Sequence, residues 1–360
     1  MLRLFELTAL FTKLGFCATF LVNLLFIKLT VSYIKQITGP YKRILVLFAS
    51  FCILFATVEI IAQPFTYNFN EGIIYFSLHK PDVSSFPYFS QRFLRNSLVL
   101  YASCYVTQIS FIAIQFLFRY VTLIQHKIEE SFHGKKQFFW LLYLILNGAT
   151  YGSTLSLCFP YDKFSDDYIK NAVKEVYLRD INETPRLIQI VHKADGSLQF
   201  NSIIYAIIAL SILGVQYFII TFCTIKMQLA MQTELSNMSH KNQQLERQFF
   251  KALTVQILLP TILLTLPLGF VLLLPLLNME IKIQTGVMFA LISVYPPLDS
   301  MATMVIVKEY RWCLKSMLHQ KEGRGDEWVS EFISDVTGWS FKIEPSPSVN
   351  PSTLNQIPVF

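Results

Sequence analysis

Seven long stretches with almost no charged residues limit the fold more than any other feature of this chain. Four contain no Asp, Glu, Lys or Arg at all: 96–118, 137–161, 196–225 and 252–279. Three more contain one ionisable side chain each: 14–34 with Lys28, 44–70 with Glu59, and 283–307 with Asp299. A helix of about 20 apolar residues crosses the roughly 30 Å hydrocarbon core of a bilayer. The stretches therefore predict seven membrane-spanning helices.

The composition excludes the soluble classes. Apolar residues make up 53% of the 360 residues and charged residues only 15%, against about 25% charged residues in ordinary soluble domains. Segments of about ten residues with alternating hydrophobicity, the signature of a membrane barrel, do not occur in the sequence. We predict an all-α, polytopic membrane protein with a seven-transmembrane helix bundle. Its helices are predicted at about 14–34, 43–63, 96–118, 137–160, 200–225, 252–277 and 283–306.

The distribution of Lys and Arg predicts the orientation in the membrane. If the N-terminus is outside, the short cytoplasmic loops carry twelve of these residues and the short outer segments six. Positive residues collect on the cytoplasmic side, so we predict the N-terminus outside and the C-terminus inside. This orientation places the sequon Asn182-Glu183-Thr184 on the outer face as a candidate glycosylation site. A second sequon, at Asn237, is then cytoplasmic and unmodified.

The segments outside the spans are short. Residues 1–13 are predicted to form an extracellular N-terminus, 14–312 the membrane domain, and 319–360 a cytoplasmic tail that is disordered from about residue 344. The loops 63–95 and 162–195 are too short to build an independent core. Residues 308–318 have the spacing of a short amphipathic helix, which we expect along the cytoplasmic interface. Cys313 on its apolar face is either a candidate palmitoylation site or an inert thiol.

One face of the third span is polar. Tyr101, Tyr105, Gln108, Gln115 and Arg119 follow at intervals of 4, 3, 7 and 4 residues, which places them on one side of a helix. Polar side chains are costly in lipid, so this face is predicted to point into the bundle. The two tyrosines are candidate ligand contacts, and the two glutamines suit either this role or hydrogen bonds between helices. Arg119 is a switch candidate or a snorkelling anchor.

The second, sixth and seventh spans contain residues that are unusual in a membrane helix. Pro260 and Pro267 each remove a backbone hydrogen bond from the sixth span, which predicts a hinge. Asp299 in the seventh span, close to Tyr295, has to face the bundle interior or stay protonated. Glu59 in the second span is either a ligand contact or a structural group.

Signals for catalysis are scarce. The six His occur at no metal-ligand spacing, and no zinc-protease, nucleophile-elbow or phosphate-binding motif is found in the sequence. We therefore expect no enzyme, no cofactor and no metal site.

Five blocks of the sequence carry a resemblance to a known family. They are Gly39–Phe51 (GPYKRIL…FASF), Pro64, Gln115–Tyr120 (QFLFRY), Gln248–Pro260 (QFFKALTVQI…P), and Tyr295–Asp299 (YPPLD) with Tyr310-Arg311. In this order they resemble the nematode seven-transmembrane chemoreceptors of the Str/Srj group, a branch of the G-protein-coupled receptors. Ser300 departs from the pattern, since the family usually has Pro there, and so does Pro40.

The resemblance implies a chemosensory, odorant-like receptor. A small environmental or pheromone-like cue would bind in the outer half of the bundle, and a heterotrimeric G protein would bind the cytoplasmic loops. The candidate ligand contacts are Tyr101, Tyr105, Gln108 and Glu59. The candidate coupling residues are Arg119, Tyr120, Pro260, Pro267, Tyr295 and Asp299. The expected location is the plasma membrane, in the sensory cilium of chemosensory neurons. No nucleic-acid partner is expected, and the sequence does not indicate an oligomeric state.

Two other classes of protein remain open at this point. A ligand-gated ion channel of the inverted seven-helix type would require the N-terminus inside, against the distribution of Lys and Arg. A small-solute transporter would usually contain internal repeats, and the sequence has none that we detect.

Overall fold

The computed structural model describes residues 4–34, 39–70, 72–79, 90–122, 136–177, 180–192, 197–233, 240–266, 269 and 287–319. The helices within this part of the chain are α1 Leu4–Lys28, α2 Gly39–Ala62, α3 Gln91–Tyr120, α4 Lys136–Cys158, α5 Lys163–Tyr177, α6 Phe200–Thr233, α7 His240–Pro260, α8 Val287–Ile306 and α9 Lys308–His319. The strands are β1 Pro64–Phe69, β2 Gly72–Ser77 and β3 Arg186–Ile190.

Six of the described helices are long and apolar enough to cross a membrane: α1, α2, α3, α4, α6 and α8. The predicted sixth span corresponds to α7, which a π-helical turn over Thr261–Thr265 continues; Pro267 and most of the chain from there to residue 286 lie outside the described residues. Several helices begin before the predicted spans, and α1 begins at Leu4. A charged residue such as Lys13 ends an apolar stretch but does not end a helix, because helices continue through the headgroup region.

α3 is the most buried of these spanning helices, and it packs against α2, α4 and α6. All five residues of its polar face, from Tyr101 to Arg119, are buried. The prediction that this face points into the bundle is therefore confirmed.

Close helix contacts depend on glycine. α1 packs against α8, and a Cβ atom on Gly15 would lie 2.6 Å from the backbone oxygen of Ser293. α4 approaches α3 in the same way, since a Cβ on Gly148 would lie 2.3 Å from Thr107 Oγ1. Small residues let membrane helices approach closely, and van der Waals contact is a main source of their association.

The loops at one end of the bundle form an antiparallel sheet in the order β1–β2–β3. β1 and β2 are a hairpin with Phe69 opposite Gly72, and β2 pairs with β3 from Gly72 opposite Ile190 to Phe76 opposite Arg186. Asn70 in the turn has φ 50°, a left-handed conformation that Asn adopts more readily than most residues. The all-α expectation holds for the bundle, but it did not include this sheet.

One face of the sheet and α5 share a small hydrophobic core. Its large side chains include Phe65, Phe76, Ile169, Val173 and Tyr177. Each loop was predicted to be too short for an independent core, and the structure shows that the two loops build one core together. We call β1, β2, α5 and β3 together the cap, and we name the two ends of the bundle the cap end and the Arg119 end.

Two arginines form polar contacts within the cap and between α3 and the segment that precedes α5. Arg186 of β3 binds Asp166 of α5 through two hydrogen bonds, at 2.7 and 2.5 Å. Arg95 of α3 donates to the backbone oxygen of Phe159 at 2.9 Å. Both guanidinium groups lie about 5 Å from the ring centre of Tyr161, at 5.0 Å for Arg95 and 4.9 Å for Arg186. The six cysteines are all free, so these charged contacts connect the cap to α3 without a disulfide.

The predicted amphipathic segment near the end of the membrane domain is helical, as α9. Tyr310 at its start packs on Phe26 with ring centres 5.2 Å apart and hydrogen-bonds Thr30 at 2.7 Å. From Trp312 onward the chain belongs to a second compact unit that runs to Phe360, and its residues beyond 319 lie outside the described part.

Candidate functional site

A cavity lies at the cap end of the bundle. It offers about 100 Å³ to the centres of water-sized molecules. Its walls come from α3, α4, α6, α8 and all three strands. The lining residues are Thr66, Ile73, Tyr75, Tyr101, Ala102, Tyr105, Tyr151, Leu155, Phe159, Leu187, Gln189, Tyr205, Phe289 and Ile292.

The polar groups of this cavity are mostly tyrosine hydroxyls that already have partners. Tyr75 donates to the backbone oxygen of Leu98 at 3.0 Å, and the hydroxyls of Tyr151 and Tyr205 lie 2.8 Å apart. The buried hydroxyl of Tyr101 has no hydrogen-bond partner among the described residues. An unpaired buried hydroxyl is unfavourable, so Tyr101 has a free donor and acceptor for a molecule in the cavity.

Stacked rings fix the position of that hydroxyl. The ring of Tyr101 stacks on Phe55 of α2 with centres 4.9 Å apart, and it lies 5.9 Å from Phe289 of α8. Phe289 in turn stacks on Tyr75 of β2 at 6.0 Å. Aromatic pairs at such distances contribute roughly 0.5–1.5 kcal/mol beyond the burial of their area. This aromatic wall joins α2, α3, α8 and the cap.

Two of the four predicted ligand contacts line the cavity and two do not. Tyr101 and Tyr105 are part of the wall, whereas Gln108 and Glu59 are not. Gln108 is buried and donates to Cys52 Sγ at 3.6 Å. Glu59 accepts a short hydrogen bond from Ser293, so its carboxyl group links α2 to α8.

A chain of hydrogen bonds leads from the cavity to α7. The hydroxyl of Tyr105 lies 3.0 Å from Thr265 Oγ1. Tyr217 of α6 donates to the same Thr265 oxygen at 2.9 Å and lies 3.1 Å from Thr261 Oγ1. Both threonines belong to the π-helical turn that follows Pro260. The cavity wall is thus bonded to the irregular part of α7.

The irregular turn has a direct cause in Pro260. Proline lacks an N–H group, so the carbonyl of Gln256, four residues earlier, loses its usual helical donor. The hydroxyl of Tyr295 in α8 lies 3.4 Å from this carbonyl oxygen. The Gln256 side chain donates to Asp299 Oδ2 at 2.9 Å and to Thr303 at 3.1 Å. Two predicted switch residues of the seventh span, Tyr295 and Asp299, therefore share a hydrogen-bond network with Gln256 of α7. The predicted switch residue Pro260 leaves the Gln256 carbonyl free for this network.

At the Arg119 end, the guanidinium group of Arg119 is buried in a charged and aromatic cluster. Its Nη1 atom donates to both carboxylate oxygens of Glu246 in α7, at 2.8 and 3.0 Å. The Cζ atom of Arg119 lies 3.6 Å from the ring centre of Tyr41 and 4.3 Å from that of Phe249. Such cation–π contacts add to the ion pair when water is excluded. The cluster joins α2, α3 and α7.

The other predicted site residues lie apart from these clusters or outside the described residues. Tyr120 is half-buried, with its ring 5.9 Å from Phe222. Asn182 is exposed in a short 3-10 turn at the cap end. Cys313 is buried, which does not favour acylation of the thiol in this conformation. Pro267 lies outside the described residues.

Glu246 and most of the cap wall were not predicted from the sequence. Glu246 lies among charged residues that a search for apolar spans treats as a loop, although Glu246 and Phe249 are three residues apart and so share a helical face. The hairpin had a signal in Asn70-Glu71-Gly72, a turn between two aromatic-rich runs.

The path of the chain through the bundle is similar to that of a known seven-helix fold. Squid rhodopsin superposes with a TM-score of 0.58 over 92% of this chain and 91% of that chain. The sequences are only 12% identical, so this similarity establishes the fold alone.

The sequence comparisons identify the family. The family described as "Serpentine type 7TM GPCR chemoreceptor Str" matches residues 8–315, and the chain belongs to this family. The "G-protein coupled receptor str-33" of Caenorhabditis elegans is 36% identical over 318 residues, covering 87% of this chain and 91% of that protein. The "Serpentine receptor class r-10" of the same organism is 23% identical over 321 residues, covering 87% and 91%. The family is one of G-protein-coupled chemoreceptors. This membership excludes the two other classes of protein considered from the sequence, the inverted seven-helix channel and the small-solute transporter.

Proposed function

We propose that the cap-end cavity binds a neutral, mainly apolar small molecule from outside the cell. Binding there shifts α7 and releases Arg119 from Glu246, and a heterotrimeric G protein then binds the Arg119 end. In this proposal the N-terminus and the cap are extracellular. The receptor resides in the plasma membrane of a sensory cilium, as the family resemblance implies.

The lining of the cavity supports a neutral ligand. Among the described residues that line it there is no Asp, Glu, Lys, Arg or His, and the polar groups are tyrosine hydroxyls, Thr66 and Gln189. A charged ligand would lose its hydration without a compensating counter-ion, which is strongly unfavourable. Cavities on the order of 150 Å³ accept a benzene ring, so the space suits a molecule of few heavy atoms. Such a molecule also gains one oriented hydrogen bond from Tyr101. The uncharged lining is the single observation on which the ligand class rests.

The bonded path from Tyr105 to α7 supports a mechanism for signalling. A ligand that displaces the Tyr105 hydroxyl changes the hydrogen bonding of Thr265, in the turn where α7 is least regular. α7 also carries Glu246, the partner of Arg119. A ligand shifts a conformational equilibrium only if it binds one state better than the other. Here the preference arises from the altered contact with Tyr105 and the new contact with Tyr101.

The proposal is tested in cells that express the receptor with a second-messenger reporter. We expect responses to small neutral odorants and none to their carboxylate or ammonium analogues. Tyr101→Phe removes only the unpaired hydroxyl, so the half-maximal concentration of alcohols or ketones should rise about two- to tenfold, while that of pure hydrocarbons stays unchanged. Tyr161→Phe, at the cap end but outside the cavity, is the control. Responses restricted to charged ligands, or an equal shift for all ligands, would contradict the proposal.

A further inference from the structure

A second cavity lies in the other half of the bundle, between α2 and α4. α2 and α4 both pack against α3, and the space between them offers about 340 Å³ to the centres of water-sized molecules. Phe111 and Ile114 of α3 form its floor, and α2 and α4 form its walls. It shares no lining residue with the cap-end cavity. We call this space the α2–α4 groove.

The groove faces the membrane. Its wall residues Leu47, Leu54 and Leu141 are 57%, 52% and 50% exposed in helices that are apolar enough to span a bilayer. Its α2 side runs from Pro40 to Leu54, a rise of about 21 Å at 1.5 Å per residue. One leaflet of hydrocarbon is roughly 15 Å thick. An extended acyl chain therefore matches the groove in length and in apolar character.

One end of the groove is cationic. Arg43 lines it next to Gln137 and Trp140 of α4. Arg43 is exposed, and no ion pair or hydrogen bond to it is recorded among the described residues. Guanidinium groups bind phosphate through paired hydrogen bonds, and Trp is enriched at headgroup depth. This end of the groove therefore suits an anionic headgroup.

We infer that the α2–α4 groove binds an anionic glycerophospholipid, with one acyl chain between α2 and α4 and its phosphate on Arg43. The charge of Arg43 decides the class of occupant, because a sterol would leave the guanidinium without a counter-ion, and the phosphate of a zwitterionic headgroup is already balanced by the headgroup's own ammonium group. Anionic lipids are concentrated in the cytoplasmic leaflet, where the proposed orientation puts this end, but the inference does not depend on that orientation or on the ligand cavity.

Fluorescence quenching of Trp140 tests the inference. The full chain with Trp312, Trp328 and Trp339 replaced by Phe keeps Trp140 as its single tryptophan. It is placed in phosphatidylcholine nanodiscs that contain either dibrominated phosphatidylserine or dibrominated phosphatidylcholine at equal mole fraction. We expect phosphatidylserine to reach half-maximal quenching at an about fivefold lower mole fraction, as expected for one basic residue near an anionic lipid. High salt should reduce this preference.

Two substitutions separate the headgroup from the acyl chain. Arg43→Gln should equalise the two lipids, whereas Arg247→Gln, an exposed arginine on α7 outside the groove, should leave the preference intact. Ser50→Phe should fill the groove and weaken quenching by both lipids, whereas Leu210→Phe on exposed α6 should not. Equal quenching by both lipids before substitution would overturn the inference, as would a preference that survives Arg43→Gln. Quenching unaffected by Ser50→Phe would show that the chain binds elsewhere.

Discussion

At the scale of single residues, Arg119 shows how a membrane bundle accommodates a buried charge. A guanidinium group in a low-dielectric interior is unfavourable unless it is paired. Glu246 supplies a carboxylate, and the rings of Tyr41 and Phe249 cover the remaining surface of the cation. Arg119 does not extend toward the lipid interface as a snorkelling anchor would. Its contacts lie between helices, which is the arrangement expected of a clamp that holds α7 against α3.

Removing the charge of Glu246 should loosen this clamp. We expect Glu246→Gln to raise basal second-messenger output several-fold, because the amide keeps the size of the side chain but loses the ion pair. Surface expression should stay near that of the unaltered receptor. Arg119→Ala should also leave expression and ligand binding largely intact while changing the signal. Arg247→Gln, on an exposed side of α7, is the matched control. An unchanged basal output in Glu246→Gln would contradict the clamp.

At the scale of elements, the spanning helices could be predicted from the sequence, whereas the cap had only the turn signal at Asn70-Glu71-Gly72. Charge-free stretches identify helices because the membrane excludes charge over a fixed thickness. The strands of the cap are buried on both faces: Phe65 and Ile74 face the core with α5, while Thr66 and Tyr75 line the cavity. Strands buried on both faces lose the alternation of apolar and polar residues. β1 therefore appeared as the end of the apolar stretch 44–70.

The residues of the cap-end cavity also divide into those that could be predicted from the sequence and those that could not. Tyr101 and Tyr105 could be predicted because helical spacing alone places them on one face of α3. Ile73, Tyr75 and Gln189 could not, because their position depends on strand pairing between distant segments of the chain. The periodicity of a helix carries no information on such pairing, so the five lining residues that the strands contribute could not be placed from it.

Helix contact through glycine leads to a prediction for α1. A methyl group on Gly15 would lie 2.6 Å from the Ser293 backbone oxygen and 2.8 Å from its Cβ. The backbone of α8 at Ser293 cannot move easily to make room for the methyl group. Gly15→Ala should therefore lower the free energy of unfolding by about 1–3 kcal/mol, as overpacking does. The measurement is the thermal unfolding of the purified receptor in detergent, where Tm should fall.

Gly214 in α6 provides the control for this prediction. In the part of the chain that the structure describes, no atom lies within 4 Å of a Cβ built on Gly214, and Ala is the better helix former by up to about 1 kcal/mol. Gly214→Ala should therefore leave Tm unchanged or raise it slightly. Equal Tm values for the two variants would mean that α1 does not pack against α8 as described.

At the scale of the whole molecule, the cavity and the Arg119 cluster lie at opposite ends of the same bundle, and α7 takes part in both. Thr265 near one end of its described part bonds the cavity wall, and Glu246 near the other end bonds Arg119. Between them, Gln256 bonds Asp299 of α8. A receptor needs such an element, because ligand and G protein bind on different sides of the membrane and affect one equilibrium.

Ligand binding at the cap end and G-protein binding at the Arg119 end require the cap to be outside the cell and the Arg119 end inside. An epitope at the C-terminus should then be stained only after cells are permeabilised, and an epitope before Leu4 should be stained on intact cells. The exposed Asn182 should be the glycosylated sequon, so Asn182→Gln should increase gel mobility, whereas Asn237→Gln should not. The distribution of Lys and Arg is the physical reason for this expectation. Staining of the C-terminus on intact cells would reverse the orientation and, with it, the assignment of the cap-end cavity to ligands from outside the cell.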